Sequence, residues 1–385
     1  MSYITRQLKI GKTERLDFLA REAGNAYSET LVKFWRVFRR KNHWLSKYAM
    51  MRWVRNSNLH AQTVQGCVDT FFKSFLAYRA MCKTDLRAQP PRRRCRYQAI
   101  PYKSGAIRVL NGYLILSNGR GNEPLVIPWK FDKPKYCVIS YNGLEYVLNA
   151  TYKIADTNPV SVGECAGIDL GEIHPAVVDT GSRVVIANGR ELRSKRRYQN
   201  KAKASFQSAL SKCKEGSRKW KQLNEAKKRT LKKLDNQIKD IVHKQTTSIV
   251  KAMKEDGVRM VGIGDLRNVR KNADNGRFLN QKVHQMPVGV VRKQISYKAR
   301  HEGMTVGIID EKYSSQTCPR CNSRNKISTR NYNCSHCGFA YHRDAVGAVN
   351  IRNKVMYREY VPVVGDMTPP VGIRYYANTS CNSAV

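Results

Sequence analysis

The chain has 385 residues, with 70 Lys+Arg against 29 Asp+Glu and a formal net charge of +41. Self-repulsion of that size opposes compaction, so it argues against an enzyme of small neutral substrates and for a polyanionic partner. Nucleic acid comes ahead of an anionic membrane surface, because no basic amphipathic helix shows a clean apolar face. No run reaches the ~18 apolar residues of a membrane span, and the opening MSYITRQLKIGKTERLDF lacks the apolar core of a secretory leader. A hydrophobic content of 41% excludes wholesale disorder. The 11 cysteines, an odd number with four at metal spacing, point to a reducing compartment rather than a disulfide framework.

In chain order, YITRQLKI within residues 1–10 predicts a short strand. From Thr13 to about Lys83 there is no proline. Leu16, Leu19, Ala20, Leu31, Phe34, Trp35, Val37 and Phe38 recur there at helical spacing, which predicts a helical bundle with Arg36, Arg39, Arg40 and Lys41 on its wet side. Gln89-Pro90-Pro91-Arg92-Arg93-Arg94 reads as a basic linker. Over 96–155 the runs AIRVL, YLILS, PLVIPW, KYCVISY and EYVLNATY predict a small antiparallel barrel that the N-terminal strand could complete. Both regions read first as scaffold, although Trp35, Trp44, Tyr48 and Trp53 among basic residues would also suit a nucleic-acid surface.

The run ECAGIDLGEIHPAVVDTGSRVVIANG, from Glu164, predicts a three-stranded meander. From Glu191 to Lys254 a proline-free basic segment carries an apolar stripe at Leu231, Leu234, Ile238, Ile241 and Val242. Its one-signed charge favours phosphate-backbone contact over a merely solvated face. A strand over Val258–Leu266, a polar loop, a helix through Val290–Tyr297 and a strand Thr305–Ile309 ending in Asp310-Glu311 follow. After residue 355 no periodicity remains, and a mobile or loosely draped tail is expected.

Cys318-Pro319-Arg320-Cys321 and Cys334-Ser335-His336-Cys337 are two CxxC knuckles with twelve residues between them. Four thiolates so arranged suit one tetrahedral Zn²⁺ with no open position, hence a structural ion rather than a redox dithiol. Gly338 suits the turn after the second knuckle. His336 and His342 lie near but are not needed as ligands. Cys67, Cys82, Cys95, Cys137, Cys165, Cys213 and Cys381 are scattered, as structural or free thiols are.

Two carboxylates stand out. Asp169 ends a short apolar strand in Gly167-Ile168-Asp169-Leu170-Gly171, where it can face a metal at a sheet edge. Asp344, in Tyr341-His342-Arg343-Asp344, opens a small-residue helix just past the knuckles and could equally be an N-terminal helix charge. With no glycine-rich loop or DFG, the HRD tripeptide does not indicate a kinase.

The order DLG, long helical insertion, strand, YSSQTCPRC, CxxCG and HRD-type helix resembles TnpB, the transposon-encoded RNA-guided nucleases related to Fanzor proteins and type V CRISPR effectors. The motifs cover roughly residues 160–352; over 1–155 the likeness is architectural. The resemblance implies an α/β multidomain protein. A wedge-like β-barrel would span 1–12 and 96–158, with a helical recognition domain and basic linker inserted over 13–95. An RNase H-like RuvC nuclease domain would span 159–312 and 339–355, with a basic helical insertion over 191–254. A zinc ribbon over 313–338 and a C-terminal tail over 356–385 complete the chain.

It further implies two Mg²⁺ ions on three carboxylates, with Asp169 matching the first family aspartate and Asp344 the last. The chain departs from the pattern in the middle, where the family's E-D-L is Gly264-Asp265-Leu266. Asp265 is one residue off and would point to the opposite face. Glu311, at the end of the next strand, is the better candidate, since some relatives have moved their catalytic glutamate downstream. His342 and Gly347 also depart, where the family often has Asp and Asn. The implied function is an RNA-guided, Mg²⁺-dependent DNA endonuclease of a transposable element, with a transposon-end guide RNA and target double-stranded DNA as partners. It would work as a monomeric ribonucleoprotein in a prokaryotic cytoplasm, at the nucleoid, with no membrane. The loss of a carboxylate at 264 leaves open a nuclease-dead, RNA-guided regulator. A transposase proper is disfavoured by the zinc knuckle between the second and third carboxylates.

Overall fold

In the computed structural model the described residues are 2–94, 97–155, 158–266, 276–327, 329–363, 365, 367–375 and 383–384. Cys95, Cys381 and most of the polar loop after Leu266 lie outside them. The chain divides into two compact units, Met1–Ala155 and Asp156–Val385.

The first unit runs β1 (Ser2–Gly11), α1 (Glu14–Lys41), α2 (Lys47–Trp53), α3 (Ala61–Cys82), β2 (Ile100–Lys103), β3 (Ile107–Leu110), β4 (Tyr113–Leu116), β5 (Leu125–Pro128), β6 (Tyr136–Tyr141) and β7 (Tyr146–Ile154). Thr13 caps α1 by accepting from the Leu16 amide, and Asn42 ends it in a left-handed conformation. Hydrogen bonding sorts the strands into a four-stranded sheet, β1-β7-β6-β2, and a three-stranded sheet, β3-β4-β5. The N-terminal strand is thus an edge of the larger sheet, paired antiparallel with β7. Of the four aromatics noted above, Trp35 and Trp44 touch Phe34 and Phe75, and Trp44 (41% exposed), Tyr48 (70%) and Trp53 (45%) all reach solvent.

The second unit runs β8 (Glu164–Asp169), β9 (Ala176–Asp179), β10 (Val184–Ala187), α4 (Arg190–Ser211), α5 (Arg218–Glu255), β11 (Val258–Gly264), α6 (Gly276–Gln285), α7 (Val288–His301), β12 (Thr305–Ile309), β13 (Asn331–Asn333), β14 (Ala340–His342), α8 (Arg343–Tyr357), β15 (Val371–Arg374) and β16 (Ser383–Ala384). The main sheet has the order β12-β11-β8-β9-β10-β15-β16. β8, β9 and β10 form the antiparallel meander, and β11 and β12 add to it in parallel. Two details differ from the sequence-based expectation. The basic segment is two helices, because Gly216 at φ 81° and the Ser217 cap, which accepts from the Trp220 amide, turn the chain between α4 and α5. The tail past residue 355 is not wholly draped: β15 pairs parallel with β10.

Strand parity separates the two faces of the sheet. Ala166, Ile168, Val178, Val185, Val261 and Ile263 pack into one core with Ile238, Ile241, Val291 and Ile295 of α5 and α7. Val177, Val184 and Ile186 pack on the other face against Ala345 and Ala348 of α8. α8 can lie this close because Gly167 presents no side chain. A Cβ there would overlap the Ala348 carbonyl and the Arg352 amide. A buried ion pair, Arg352 Nε to Asp179 Oδ2 at 2.7 Å, joins α8 to β9.

Candidate nuclease centre and zinc ribbon

The same parity that puts Ile168 in the α5 core turns Asp169 toward α8. There its carboxylate lies against Gly347, whose added Cβ would be 2.9 Å from Oδ2. Asp344, in the first turn of α8, and Glu311, two residues past β12, line the same cavity of about 290 Å³ as Asp169. All three sequence-predicted carboxylates therefore meet in one place, and Asp265 does not join them. It pairs at 3.6 Å with Arg292 of α7, on the opposite face.

Glu311 stands in the space that a side chain at 264 would use. Gly264 pairs with Ile309, and Glu311 lies two residues beyond Ile309, so all three address the α8 face. A Cβ added to Gly264 would overlap Glu311 Oε2 and lie 3.4 Å from Glu311 Cβ. α8 grips the segment on both sides: Lys354 Nζ donates to the Asp310 carbonyl at 2.8 Å, and Asn350 Nδ2 donates to the Ser314 and Thr317 carbonyls at 2.7 and 2.8 Å. The backbone around Glu311 is thus anchored while its Oε2 is buried without a hydrogen-bond partner among the described residues. An orphaned carboxylate oxygen at the wall of an acidic cavity fits a cation.

The electrostatics agree. Burial, then the charges of Asp344 and Glu311, push the Asp169 carboxyl well above its ordinary range, only partly opposed by Arg343 and the Leu170 amide. Burial, then Asp265 and Asp310, raise Glu311 to about 7. Burial acts on Asp344 too, but the His174 hydrogen bond and the Arg330 and His342 charges outweigh it and hold Asp344 low. His174 Nδ1 lies 2.7 Å from Asp344 Oδ2, and Arg330 donates to the same oxygen. Neither His174 nor Arg330 is visible as a site residue in the sequence, because each meets Asp344 only through the fold.

The four predicted thiols converge as well. Cys318 and Cys337 approach to 3.6 Å between sulfurs, as do Cys321 and Cys334. Zn–S bonds of ~2.3 Å in a tetrahedron separate sulfurs by roughly 3.8 Å, so the cluster fits zinc with little adjustment. The two knuckles have matching backbones. Gly338 (φ 70°) donates to the Cys334 carbonyl, and Asn322 (φ 60°) plays the same part on Cys318. Asparagine tolerates the left-handed region, which is why the first knuckle needs no glycine. Burial opposes ionisation throughout the cluster and pushes Cys318 up to about 12, while the Ser323 hydroxyl and the Cys337 and His336 amides bring Cys334 down, so the four thiols do not ionise alike before a cation binds. Tyr332 of β13 and Val346 of α8 pack beneath the knuckles, tying them to the helix that carries Asp344.

Comparison with known proteins follows the same division. A family model described as "Probable transposase" (OrfB, IS605) matches residues 149–270, and one for the "Cas12f1-like, TNB domain" matches residues 289–351. A CRISPR-associated endodeoxyribonuclease Cas12f1 of Sulfoacidibacillus thermotolerans is 30% identical over 112 residues. That stretch is 28% of this chain and a quarter (25%) of that relative's length. Among solved structures, a Cas12f1–sgRNA–target DNA complex superposes with a TM-score of 0.58 at 13% identity, covering 89% of this chain and 83% of that one. The mini RNA-guided endonuclease CRISPR-Cas_phi3 gives 0.53 at 11%, covering 96% and 94%. The chain thus shares its fold with these two compact effectors. The two family models match residues 149–270 and 289–351, and the chain spans about a quarter of the length of the curated relative it matches.

Proposed function

We propose that the chain is an RNA-guided, Mg²⁺-dependent DNA endonuclease of a transposable element, in which Asp169, Glu311 and Asp344 are the catalytic carboxylates. The observation that carries this reading is the meeting of three carboxylates, from the end of β8, from just past β12, the next strand but one in the sheet, and from a helix start, in a single cavity. Two Mg²⁺ ions held there would polarise the scissile phosphate, activate water and stabilise the leaving oxygen. The protein's own part is positional. α8 fixes the backbone around Glu311, Gly347 lets Asp169 approach the helix, and Arg330 and Arg343 bring positive charge to the cavity wall for the phosphate. The raised Asp169 and Glu311 carboxyls shed their protons as cations enter. Cys318, Cys321, Cys334 and Cys337 would hold one structural zinc, bracing the ribbon on α8.

The net charge of +41 suits a guide RNA and a target duplex held through their backbones, with sequence read by base pairing. We place the working form as a monomeric ribonucleoprotein at a prokaryotic nucleoid. No helix among the described residues is long and apolar enough to cross a membrane. The test is plasmid cleavage with co-expressed native RNA and Mg²⁺, using a guide-matched target beside a randomised flank. Cutting by wild type, lost in Glu311→Ala and Asp169→Ala, is expected. Cutting that survives Glu311→Ala refutes the role of that residue. RNA-dependent binding without cutting by wild type would instead make the chain a silent regulator, the reading that Gly264 alone favours.

A further inference from the structure

Beside the carboxylate cavity, and outside its lining, two imidazoles converge on Asp344. His174 comes from the β8–β9 turn and His342 from the end of β14, and their rings lie 5.2 Å apart. One donor atom from each of His174, His342 and Asp344 lies within 4.8 Å of the other two. We infer that this trio is a binding site for a divalent first-row transition ion, distinct in donor chemistry from the all-oxygen Mg²⁺ centre and independent of whether the chain cuts DNA.

Three features support it. First, His342 Nδ1 is buried and has no hydrogen-bond partner among the described residues. A buried polar nitrogen left unmade is costly, and a metal ligand is the role that satisfies it from one side only. Second, a cation already rests on the Asp344 carboxylate, beside the His174 imidazole. Arg330 Nη1 donates to Asp344 Oδ2 and stands 3.4 Å from His174 Nδ1. One positive nitrogen against a carboxylate oxygen and an imidazole nitrogen occupies the position an ion would take. The Arg330 side chain is 43% exposed, so it can leave for solvent or a phosphate. Third, two of the donors already stand nearly as close as ligands of one ion, and the third lies within 4.8 Å of both. Metal bonds of ~2.0–2.2 Å place neighbouring ligands roughly 3 to 3.5 Å apart, and His174 Nδ1 and Asp344 Oδ2, now 2.7 Å apart across a shared proton, need only exchange that proton for the ion.

The donor set also selects the ion. Mg²⁺ demands oxygen ligands in near-ideal octahedra, whereas two neutral imidazoles and a carboxylate suit Zn²⁺, Ni²⁺, Co²⁺ or Fe²⁺ and leave positions open. The open positions would face solvent or substrate, since Arg330 now covers that side.

The experiment is zinc counting by equilibrium dialysis on the purified full-length chain, with the four-cysteine site saturated beforehand. Wild type should hold two zinc ions per chain. His174→Ala and His342→Ala should hold one, with affinity for the second ion reduced by at least about tenfold. His174→Gln, which keeps a hydrogen-bonding side chain beside Asp344, should also lose the second ion. The ion that remains shows that the ribbon, and α8 beneath it, are folded. Asp169→Asn should keep both, because it empties the Mg²⁺ centre without touching the imidazoles. One zinc in wild type, or two in every histidine variant, overturns the inference. Loss of the second ion in Asp169→Asn as well would assign it to the carboxylate cavity instead, which also overturns it.

Discussion

Gly264→Ala is the sharpest probe of the idea that Glu311 has taken over the space of a missing side chain. The added methyl would overlap Glu311 Oε2 and lie 3.1 Å from Ile351 Cδ1 of α8. Glu311 Oε2, the far end of a flexible side chain, yields by swinging the carboxylate aside, whereas Ile351 is fully buried and the Lys354 and Asn350 contacts hold the backbone on either side of Glu311. Overpacking at such a site typically costs about 1–3 kcal/mol. For a unit of this size each kcal/mol lowers the melting temperature by roughly 2–4 °C. The displaced carboxylate matters more. A shift of about 1 Å at a catalytic group can reduce turnover on the order of 10²-fold. Differential scanning calorimetry and Mg²⁺-dependent plasmid cleavage should therefore both register the methyl. Gly264→Glu alone should be worse, because its stem meets Glu311 Cβ at 3.4 Å and two carboxylates then compete for one volume. Gly264→Glu combined with Glu311→Ala should recover cutting above either single change. Unchanged melting and unchanged cutting in Gly264→Ala would refute the shared-space argument.

Three further outcomes follow from the geometry. Cys334→Ser removes one of four converging thiols, so zinc content should fall by one ion per chain and the second unit should melt at lower temperature; an undiminished zinc content in mass spectrometry of the native protein contradicts the four-thiolate centre. Glu311 is raised to about 7 from an ordinary 4.5, so the folded state holds a proton that the unfolded state releases. The stability this gives is complete below the unfolded value and is lost as pH rises through the folded one. Metal-free melting should therefore decline between about pH 5 and 7, by at most about 3 kcal/mol, and the decline should shrink in Glu311→Gln; equal slopes in both proteins would contradict it. Arg352→Met leaves Asp179, whose side chain is 5% exposed, buried without its ion-pair partner, and should cost about 3–5 kcal/mol by urea denaturation; a loss under 1 kcal/mol would show that the pair is dispensable.

What could be read in the sequence divides by distance along the chain. The zinc knuckles are local: four ligands within twenty residues, with turn chemistry to match, make the cluster legible before any fold is known. Asp169 and Asp344 are each weak alone and gain meaning from the order of motifs between them. Asp265 could be set aside from strand parity, and the structure pairs it with Arg292 on the far face. His174 was invisible because its partner is Asp344, far away in sequence, and no periodicity links them. β15 escaped notice for a related reason. Four residues, Val371–Arg374, carry too short a pattern to register as a strand, and only pairing with β10 makes them one. The break at Gly216 is not legible in the sequence, because a lone glycine inside a helical pattern is tolerated.

The position of Glu311 suggests how an acidic centre can change its sequence address and keep its place. In a parallel pair, residues on facing strands and of equal parity address the same side of the sheet, so a carboxylate can be delivered to one point from either strand. β11 and β12 offer that choice at Gly264 and at the residue two beyond its partner Ile309. The exchange is not a single substitution. Glycine on the donor strand leaves that space free, since a methyl there would push the incoming carboxylate aside. The receiving loop, which follows β12 and is not held by the sheet, needs other anchors, which Lys354 and Asn350 of α8 supply through the Asp310, Ser314 and Thr317 carbonyls. The same helix carries Asp344 and bears Asp169 on Gly347. α8 is therefore the element on which all three carboxylates are indexed. Asn350→Ala, remote from any reacting atom, should loosen Glu311 more than Asp169. It should raise the Mg²⁺ concentration needed for half-maximal cutting while leaving the zinc content unchanged. An unaltered Mg²⁺ requirement in that variant would mean that the loop holds its shape without α8.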